Sequence, residues 1–177
     1  MKKIVFVSFV AFILCFLWAL PTQAVKPIKI GFLHSLSGGI GQVYGVPDLA
    51  SVRIAIEEIN KAGGVLGRPL EVIARDDKLS PEAGLRETKD LILNQKVDWI
   101  QGTVSSAVAL ATSAYCKKAK VIFIVTTAQS SKITGEKGHP YLFRISTNTT
   151  NYTRSIANAA ATYWGTKKVF IIGPDYE

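Results

Sequence analysis

The stretch PDLASVRIAIEEINKAGGVLGRPLEVIARDD, residues 47–77, decides the fold. Its first half repeats apolar residues at three- and four-residue steps, which predicts an amphipathic helix through Leu49, Val52, Ile56 and Ile59. Two glycines follow, and glycine is preferred where a chain leaves a helix in the left-handed conformation. The apolar run that begins at Leu70 then predicts a strand. The stretch therefore predicts a helix that ends in a glycine turn and leads directly into a strand.

The same alternation of strand and helix extends in both directions along the chain. Further apolar runs predict strands at 28–34, 97–102, 120–125, 141–146 and 167–173. Amphipathic segments predict helices at 81–95, 105–119 and 151–164. This order is typical of right-handed βαβ units, so we predict an α/β fold with a parallel sheet and helices on both faces. Ligands bind such sheets beyond the carboxyl ends of the strands. The loops to inspect are therefore 34–46, 76–80, 102–106, 126–132 and 173–177.

The N-terminal segment has the pattern of a secretory signal peptide. Two lysines precede an uncharged apolar run at residues 4–20, and the small residues Thr22 and Ala24 suit cleavage after Ala24. The alternative is a membrane anchor, but 17 residues are fewer than the roughly 20 that a spanning helix needs. We therefore predict a signal peptide over 1–24 and a periplasmic or otherwise extracytoplasmic location.

Composition argues against several classes of function. The net charge of +8 falls to +6 without the two signal lysines, and the basic residues form no stripe interleaved with aromatic residues, so nucleic-acid binding is not expected. Cys116 alone remains after signal removal, which excludes an internal disulfide. His34 and His139 are isolated from each other and from cysteine. No metal site, cofactor or catalytic set is therefore predicted, and we do not expect an enzyme.

The glycine-rich stretch LHSLSGGIGQVYG, residues 33–45, follows the first predicted strand. Its glycines read G-G-x-G-x-x-x-G, which departs from the G-x-G-x-x-G fingerprint of dinucleotide binding, and the chain has no G-x-x-x-x-G-K-[ST] phosphate loop. Two interpretations remain open: the glycines let the backbone approach a small ligand, or they only turn the chain. Asp76 and Asp77, which end the second strand, are predicted to accept hydrogen bonds from nearby backbone N–H groups.

Two other loops carry uncharged polar side chains at the same predicted edge of the sheet. Ser105 and Ser106 lie where a helix begins, and free N–H groups with the partial positive charge there suit a carboxylate. The alternative is that these serines only cap the helix. The loop 126–132 presents further hydroxyl and amide groups, although a merely solvated loop would look similar. Together the two loops predict a site that holds a small polar solute by neutral hydrogen bonds.

The ordered set of motifs resembles a known family. IKIGFLHSLSGGIGQVYG, INKAGGVLGRPLEVIARDD, QGTVSSAVALA and VFIIGPDYE resemble the N-terminal part of type I periplasmic solute-binding proteins, in the leucine/isoleucine/valine-binding group that serves ABC transporters. The resemblance implies two lobes that close on a ligand and deliver it to a membrane permease, without a cofactor. It also implies that 25–146 forms most of lobe one and that 147–177 begins a truncated lobe two.

The resemblance further implies six ligand-binding residues: Tyr44, Ser105, Ser106, Thr127, Ala128 and Gln129. In this comparison Ser106 binds the ligand carboxylate and the Thr127 carbonyl receives its amino group, while Tyr44 walls the side-chain pocket. Gln129 replaces a threonine of the branched-chain binders, so an amino acid, an amide and a small aromatic acid all stay open as ligands. Two other functions also remain as alternatives: an extracellular sensor domain of the same fold and an exported α/β enzyme.

Overall fold

A computed structural model describes residues 25–170 and 172 of the chain. Its sheet has five parallel strands in the order β2-β1-β3-β4-β5. Their bounds are β1 Ile28–His34, β2 Leu70–Asp76, β3 Trp99–Gly102, β4 Ile122–Val125 and β5 Leu142–Arg144. The predicted parallel α/β sheet is therefore confirmed, with β1 hydrogen-bonded on both sides.

Four of the five helices begin directly after a side chain that caps them. Their bounds are α1 Val46–Lys61, α2 Pro81–Lys89, α3 Ser106–Ala119, α4 Ser131–Thr134 and α5 Thr149–Trp164. A helical turn, Gly38–Ile40, and a π-helical turn, Gly41–Gly45, lead into α1, and a second π-helical turn, Asp90–Asn94, continues α2. The N–H of Ala83 donates to the Ser80 hydroxyl before α2, and the N–H of Asn151 donates to the Asn148 side chain before α5. These bonds use N–H groups that have no partner inside the helix.

The helices cover both faces of the sheet, as predicted. The connection from β1 to β2 runs in the opposite direction from those that lead to β3 and β4. Right-handed connections in opposite directions place α1 on one face and α2 with α3 on the other. On the α2–α3 face, Leu33 joins the main apolar core with Leu91, Val108 and Phe123. The core thereby fixes the carboxyl ends of β1 and β3 side by side.

The prediction of a sixth strand over 167–173 is wrong for the part of it that the structure describes. Residues 165–170 form no strand, and the side chains of Val169 and Phe170 are 73% and 87% exposed. A strand is stable only when its backbone groups pair with a neighbour, and no described strand lies beside this segment. Position 171, the end of the predicted strand at 173, the loop 173–177 and the predicted signal peptide 1–24 lie outside the described residues.

Two smaller observations bear on the expectations from sequence. Cys116 is fully buried in the core, and this burial raises the pKa of its thiol to about 12. The residue therefore packs as a small apolar side chain. None of the helices in the described part of the chain combines the length and apolar character needed to cross a membrane.

Candidate functional site

The loops selected from the sequence converge at the carboxyl edge of the sheet. Hydrogen bonds continue past the last strand residues: the N–H of Asp77 donates to the carbonyl of His34 at 3.1 Å, and the N–H of Thr103 donates to the carbonyl of Leu33 at 2.9 Å. The N–H of Thr126 likewise donates to the carbonyl of Gly102 at 3.2 Å. The residues that follow β2, β3 and β4 are therefore each hydrogen-bonded to the end of a neighbouring strand along this edge.

A buried carboxylate joins three of these loops. Asp77 accepts hydrogen bonds from the Ser35 hydroxyl at 2.6 Å, the Thr103 hydroxyl at 2.7 Å and the Leu79 N–H at 2.9 Å. Its side chain is fully buried. Its neighbour Asp76 accepts from the N–H groups of Leu36 and Lys78. Both aspartates therefore have the structural role predicted from sequence.

The charge of Asp76 is stabilised by these same donors. Burial raises the pKa of its carboxyl, but hydrogen bonds from the Leu36 N–H, the Ser37 hydroxyl and the Lys78 N–H outweigh burial and hold the pKa below its usual value. The carboxylate thus stays ionised while it fixes the start of the loop after β1.

The two serines at the start of α3 accept hydrogen bonds from different parts of the chain. Ser105 caps the helix, because its hydroxyl accepts a hydrogen bond from the N–H of Val108 at 3.4 Å. Ser106 is the first helical residue, and its hydroxyl accepts from the N–H of Ser130 at 3.2 Å. A hydroxyl that accepts one bond keeps its own proton for donation. Ser106 is only 8% exposed, so little of its side chain is open to a solute.

The loop after β4 forms hydrogen bonds with several elements. The N–H of Ala128 donates to the carbonyl of Thr103 at 3.0 Å, and the Ala128 side chain is fully buried. The Thr127 hydroxyl lies 3.4 Å from a carboxylate oxygen of Asp48, in the first turn of α1. Gln129 has an exposed side chain, while its carbonyl accepts from the N–H of Thr149 at 3.0 Å. The loop therefore bridges α1, the end of β3 and α5.

Tyr44 lies at the same edge, in the segment that joins β1 to α1. It belongs to the π-helical turn Gly41–Gly45 and is 43% exposed. It forms no hydrogen bond with the other five predicted site residues in the described part of the chain. The expectation of an open loop over 34–46 is wrong for its second half, because residues 38–45 are already helical. Gly45 makes this possible, since a Cβ at that position would lie 1.8 Å from the carbonyl oxygen of Ser35.

Sequence reasoning missed His34 and Asp48. His34 is fully buried at the end of β1, stacks on Phe32 with ring centroids 5.6 Å apart, and places Nε2 3.4 Å from Oδ2 of Asp48. Burial lowers the pKa of His34, and the attraction of Asp48 and Asp77 only partly offsets this effect. No residue near His34 in the sequence indicates a partner for it. Its position at the end of β1, followed by an acidic residue in the next helix, is the feature of the sequence that could have identified the pair.

The buried histidine predicts how stability depends on pH. Because the native pKa of His34 lies below the ordinary 6.5, the unfolded chain takes up a proton first as the pH falls. We therefore expect the free energy of unfolding to decrease as the pH is lowered through about 6.5. Urea unfolding between about pH 7.5 and 5 checks this. His34→Gln should flatten the slope; an unchanged slope in His34→Gln would contradict the assignment.

No set of three or more His, Cys, Asp or Glu side chains within the described residues is arranged to hold a metal ion. The groups that the edge does offer are hydroxyls, backbone N–H and carbonyl groups, one amide and the carboxylates of Asp48, Asp76 and Asp77. Such groups can bind and orient a small polar molecule.

Comparisons with known proteins agree with this fold. A family model described as periplasmic binding protein matches residues 27–177. The chain is 34% identical over 124 residues to a leucine-, isoleucine-, valine-, threonine- and alanine-binding protein of Pseudomonas aeruginosa, a match that covers 70% of this chain and 32% of that protein.

Solved structures give the same result. The branched-chain amino acid transporter substrate-binding protein LivJ of Streptococcus pneumoniae, in complex with isoleucine, matches with a TM-score of 0.72 and 31% identity, over 79% of this chain and 39% of that one. An ABC transporter solute-binding protein of Rhodopseudomonas palustris, in complex with 3,4-dihydroxybenzoic acid, matches with a TM-score of 0.67 and 33% identity, over 77% and 36%.

The chain spans about 30% of the length of the curated relatives it matches. The family consists of substrate-binding proteins rather than enzymes, and its members work in ABC transport systems. The match of the family model over 27–177, together with the parallel five-stranded sheet, confirms the resemblance seen in the sequence. The chain belongs to the type I periplasmic binding protein family, in the leucine/isoleucine/valine-binding group.

Proposed function

We propose that this chain is part of an extracytoplasmic solute-binding protein that captures an amino acid or a related small polar solute and delivers it to an ABC transporter permease. One observation supports the proposal: the Ser106 hydroxyl accepts a hydrogen bond from the N–H of Ser130, in the loop that also holds Thr127 and Gln129, so the two loops selected from the sequence lie side by side. The solutes named for the relatives, isoleucine and dihydroxybenzoic acid, both carry a carboxylate, which suits the N-terminus of α3.

The proposed site residues are Tyr44, Ser105, Ser106, Thr127, Ala128 and Gln129. Ser106 offers a hydroxyl proton beside the first N–H groups of α3, and Thr127 and Gln129 offer groups on the facing loop. Ala128 would contact a solute only through its backbone, because its side chain is buried and anchors the loop. Tyr44 supplies a half-exposed aromatic ring for the apolar part of the solute.

The division into lobes is part of the same proposal. We place most of lobe one at 25–146 and the beginning of lobe two at 147–177. In support, α5 has no buried residue, and its hydrogen bonds to the rest of the molecule are at its first turn, where Thr149 and Thr150 contact Gln129 and Ser131. Hydrogen bonds to the other described residues that are confined to the first turn suit a boundary just before this helix. Solute bound between two lobes would favour the closed state, because it contacts both lobes only there.

The proposed location is extracytoplasmic, with residues 1–24 as the export signal. The family assignment supports this location, since its members are periplasmic binding proteins. A direct test is expression in a bacterial host followed by N-terminal sequencing of the secreted product. The expected new N-terminus is Val25, and a product that starts at Met1 in the cytoplasm would contradict the proposal.

The binding proposal predicts a measurable role for Ser106. In NMR titrations of the full chain with millimolar amino acids, amides and aromatic acids, one class should shift the amide signals of residues 105–106 and 127–129 in a saturable way. Ser106→Ala should then weaken binding about 10-fold or more, because a hydrogen bond to a charged carboxylate is lost.

Ser113→Ala is the matched control, since Ser113 is buried two turns further along the same helix and bonds to His139. It should leave the affinity unchanged. Equal affinities of the wild type and Ser106→Ala would contradict the assignment of Ser106, and absence of any saturable shift at these loops would contradict the proposed function.

A further inference from the structure

We propose that one edge of the sheet docks on a membrane surface of anionic lipids, with Leu66 inserted below the headgroups and the surrounding lysines in contact with them. The strands begin at this edge, which we call the amino edge, so it lies opposite the carboxyl edge that carries the proposed solute site. Both surfaces can therefore be occupied at the same time. The amino edge comprises residues 25–29, 57–71, 95–99, 117–122 and 136–142.

The topology gathers basic residues at the amino edge. All five strands are parallel, so their first residues and the segments that lead into them meet there, although they are far apart in sequence. The basic residues of this edge are Lys26, Lys29, Lys61, Arg68, Lys96, Lys117, Lys118, Lys120 and Lys137. The acidic residues there are fewer: Glu57, Glu58, Glu71, Asp98 and Glu136. Such an excess of positive charge on one surface attracts an anionic surface.

Much of this positive charge is free to bind an external anion. The exposed lysines of the amino edge that take part in none of the ion pairs of the described part of the chain are Lys26, Lys96, Lys117, Lys118 and Lys120. Lys61 pairs with Glu57 and Lys137 pairs with Glu136, so these two pairs add little net charge. The free ammonium groups can therefore interact with the phosphates of lipid headgroups as point charges.

A fixed turn projects an apolar side chain from the same edge. Leu66 is 96% exposed, at the tip of the turn between α1 and β2. The N–H of Val65 donates to the carbonyl of Arg68 at 2.8 Å, and the N–H of Arg68 donates to the carbonyl of Val65 at 3.0 Å. The Arg68 guanidinium also donates to the carbonyls of Lys26 and Pro27, just before β1. The turn is therefore fixed to the start of the first strand and holds Leu66 out in solvent.

Leu66, Lys96 and Lys120 share an unusual backbone conformation. Their φ angles are +53°, +56° and +57°, in the left-handed region that favours glycine. Glycine could form each of these turns with less strain, so the backbone does not require the side chains found there. What the side chains add is exposed apolar surface in one case and exposed positive charge in the other two. An anionic membrane surface binds both.

The combination of an apolar tip with surrounding lysines favours a lipid surface over other polyanions. A nucleic acid or an acidic protein surface offers negative charge, whereas an anionic membrane offers that charge together with an apolar layer beneath it. A leucine in that layer is removed from water, which adds to the attraction of the lysines. Val25, the first described residue, directly follows the predicted signal segment. During the proposed export, the amino edge is therefore tethered next to the membrane.

The test measures co-sedimentation of the purified full chain with sucrose-loaded vesicles. One set contains phosphatidylglycerol and phosphatidylcholine in equal parts, and the other contains phosphatidylcholine alone. We expect the wild type to bind the anionic set about 10-fold or more tightly at low salt, and to lose most of this preference at about 0.5 M salt. Lys118→Gln combined with Lys120→Gln should weaken binding to the anionic set about 10-fold, and Leu66→Ser should weaken it about threefold or more.

The matched control combines Lys78→Gln with Arg154→Gln, which removes the same charge from outside the amino edge and should leave binding within about twofold. Any contribution of residues 1–24 is common to all variants, so their comparison isolates the amino edge. Equal weakening by the two lysine and arginine pairs would overturn the inference, since overall charge would then explain the binding. Equal binding of the wild type to both sets of vesicles would also overturn it. If Leu66→Ser binds as tightly as the wild type, the edge attracts polyanions such as nucleic acid by charge alone, and the membrane inference is overturned.

Discussion

Asp77→Ala is expected to lower the free energy of unfolding by about 3–5 kcal/mol, because it leaves several buried donors without an acceptor. The carboxylate accepts from the Ser35 and Thr103 hydroxyls and from the Leu79 N–H, and it is fully buried. These donors belong to the ends of three strands that are neighbours in the sheet. The loss should therefore also loosen the loops after β1 and β3, where the proposed site lies.

Urea unfolding followed by circular dichroism measures this effect. Asp77→Asn is the informative companion, since its carbonyl can still accept from Ser35 and Leu79 while the Thr103 hydroxyl turns to accept from its amide. We expect Asp77→Asn to cost roughly half as much or less. Glu57→Ala, at an exposed pair on α1, should leave stability nearly unchanged. An Asp77→Ala variant as stable as the wild type would contradict the role of this carboxylate.

Gly45→Ala is expected to cost about 2–4 kcal/mol and to displace Tyr44 and Asp48 together. The added Cβ would lie 1.8 Å from the carbonyl oxygen of Ser35 and 2.9 Å from Nδ1 of His34. The carbonyl is backbone and the histidine is buried, so neither can move aside without shifting the end of β1. The π-helical turn must then open, and α1 must begin further from the sheet.

Gly39→Ala is the control for this prediction. It lies in the same helical segment, and a Cβ there would have no neighbour within 4 Å. We expect its unfolding curve to overlay that of the wild type. In the Gly45→Ala variant, the amide signals of residues 44–48 should shift in NMR spectra at equal temperature and pH. A Gly45→Ala variant with wild-type stability would show that Gly45 does not pack against the Ser35 carbonyl as described.

The strands and most helix ends were predictable because their signals are local. Apolar runs of strand length matched all five strands, and Ser80 and Ser105 marked the helix starts with side chains that bond only a few residues away. The error at 167–170 has a physical cause, since an apolar run becomes a strand only when another strand pairs with it. The helical turns over 38–45 were missed because glycine disfavours helices unless close packing requires it.

The candidate site was predictable in part for the same reason. Ser105 and Ser106 could be assigned to a helix start from the adjacent sequence alone. The contact of Asp48 with Thr127 joins residues 79 positions apart, and it requires β1, β3 and β4 to lie in that order. The contact of His34 with Asp48 depends on the π-helical turn between them. Neither has a periodic or compositional signal in the sequence.

The strand order also determines how the sheet ends on each side. Among the described strands, one border is β5, which is only three residues long, and the other is β2, where Glu71, Arg75 and Asp76 interrupt the apolar side chains. A foreign strand gains little from so short a ladder, and it must accommodate charges along the longer one. Fibril growth by edge addition is therefore disfavoured at both borders of the described sheet.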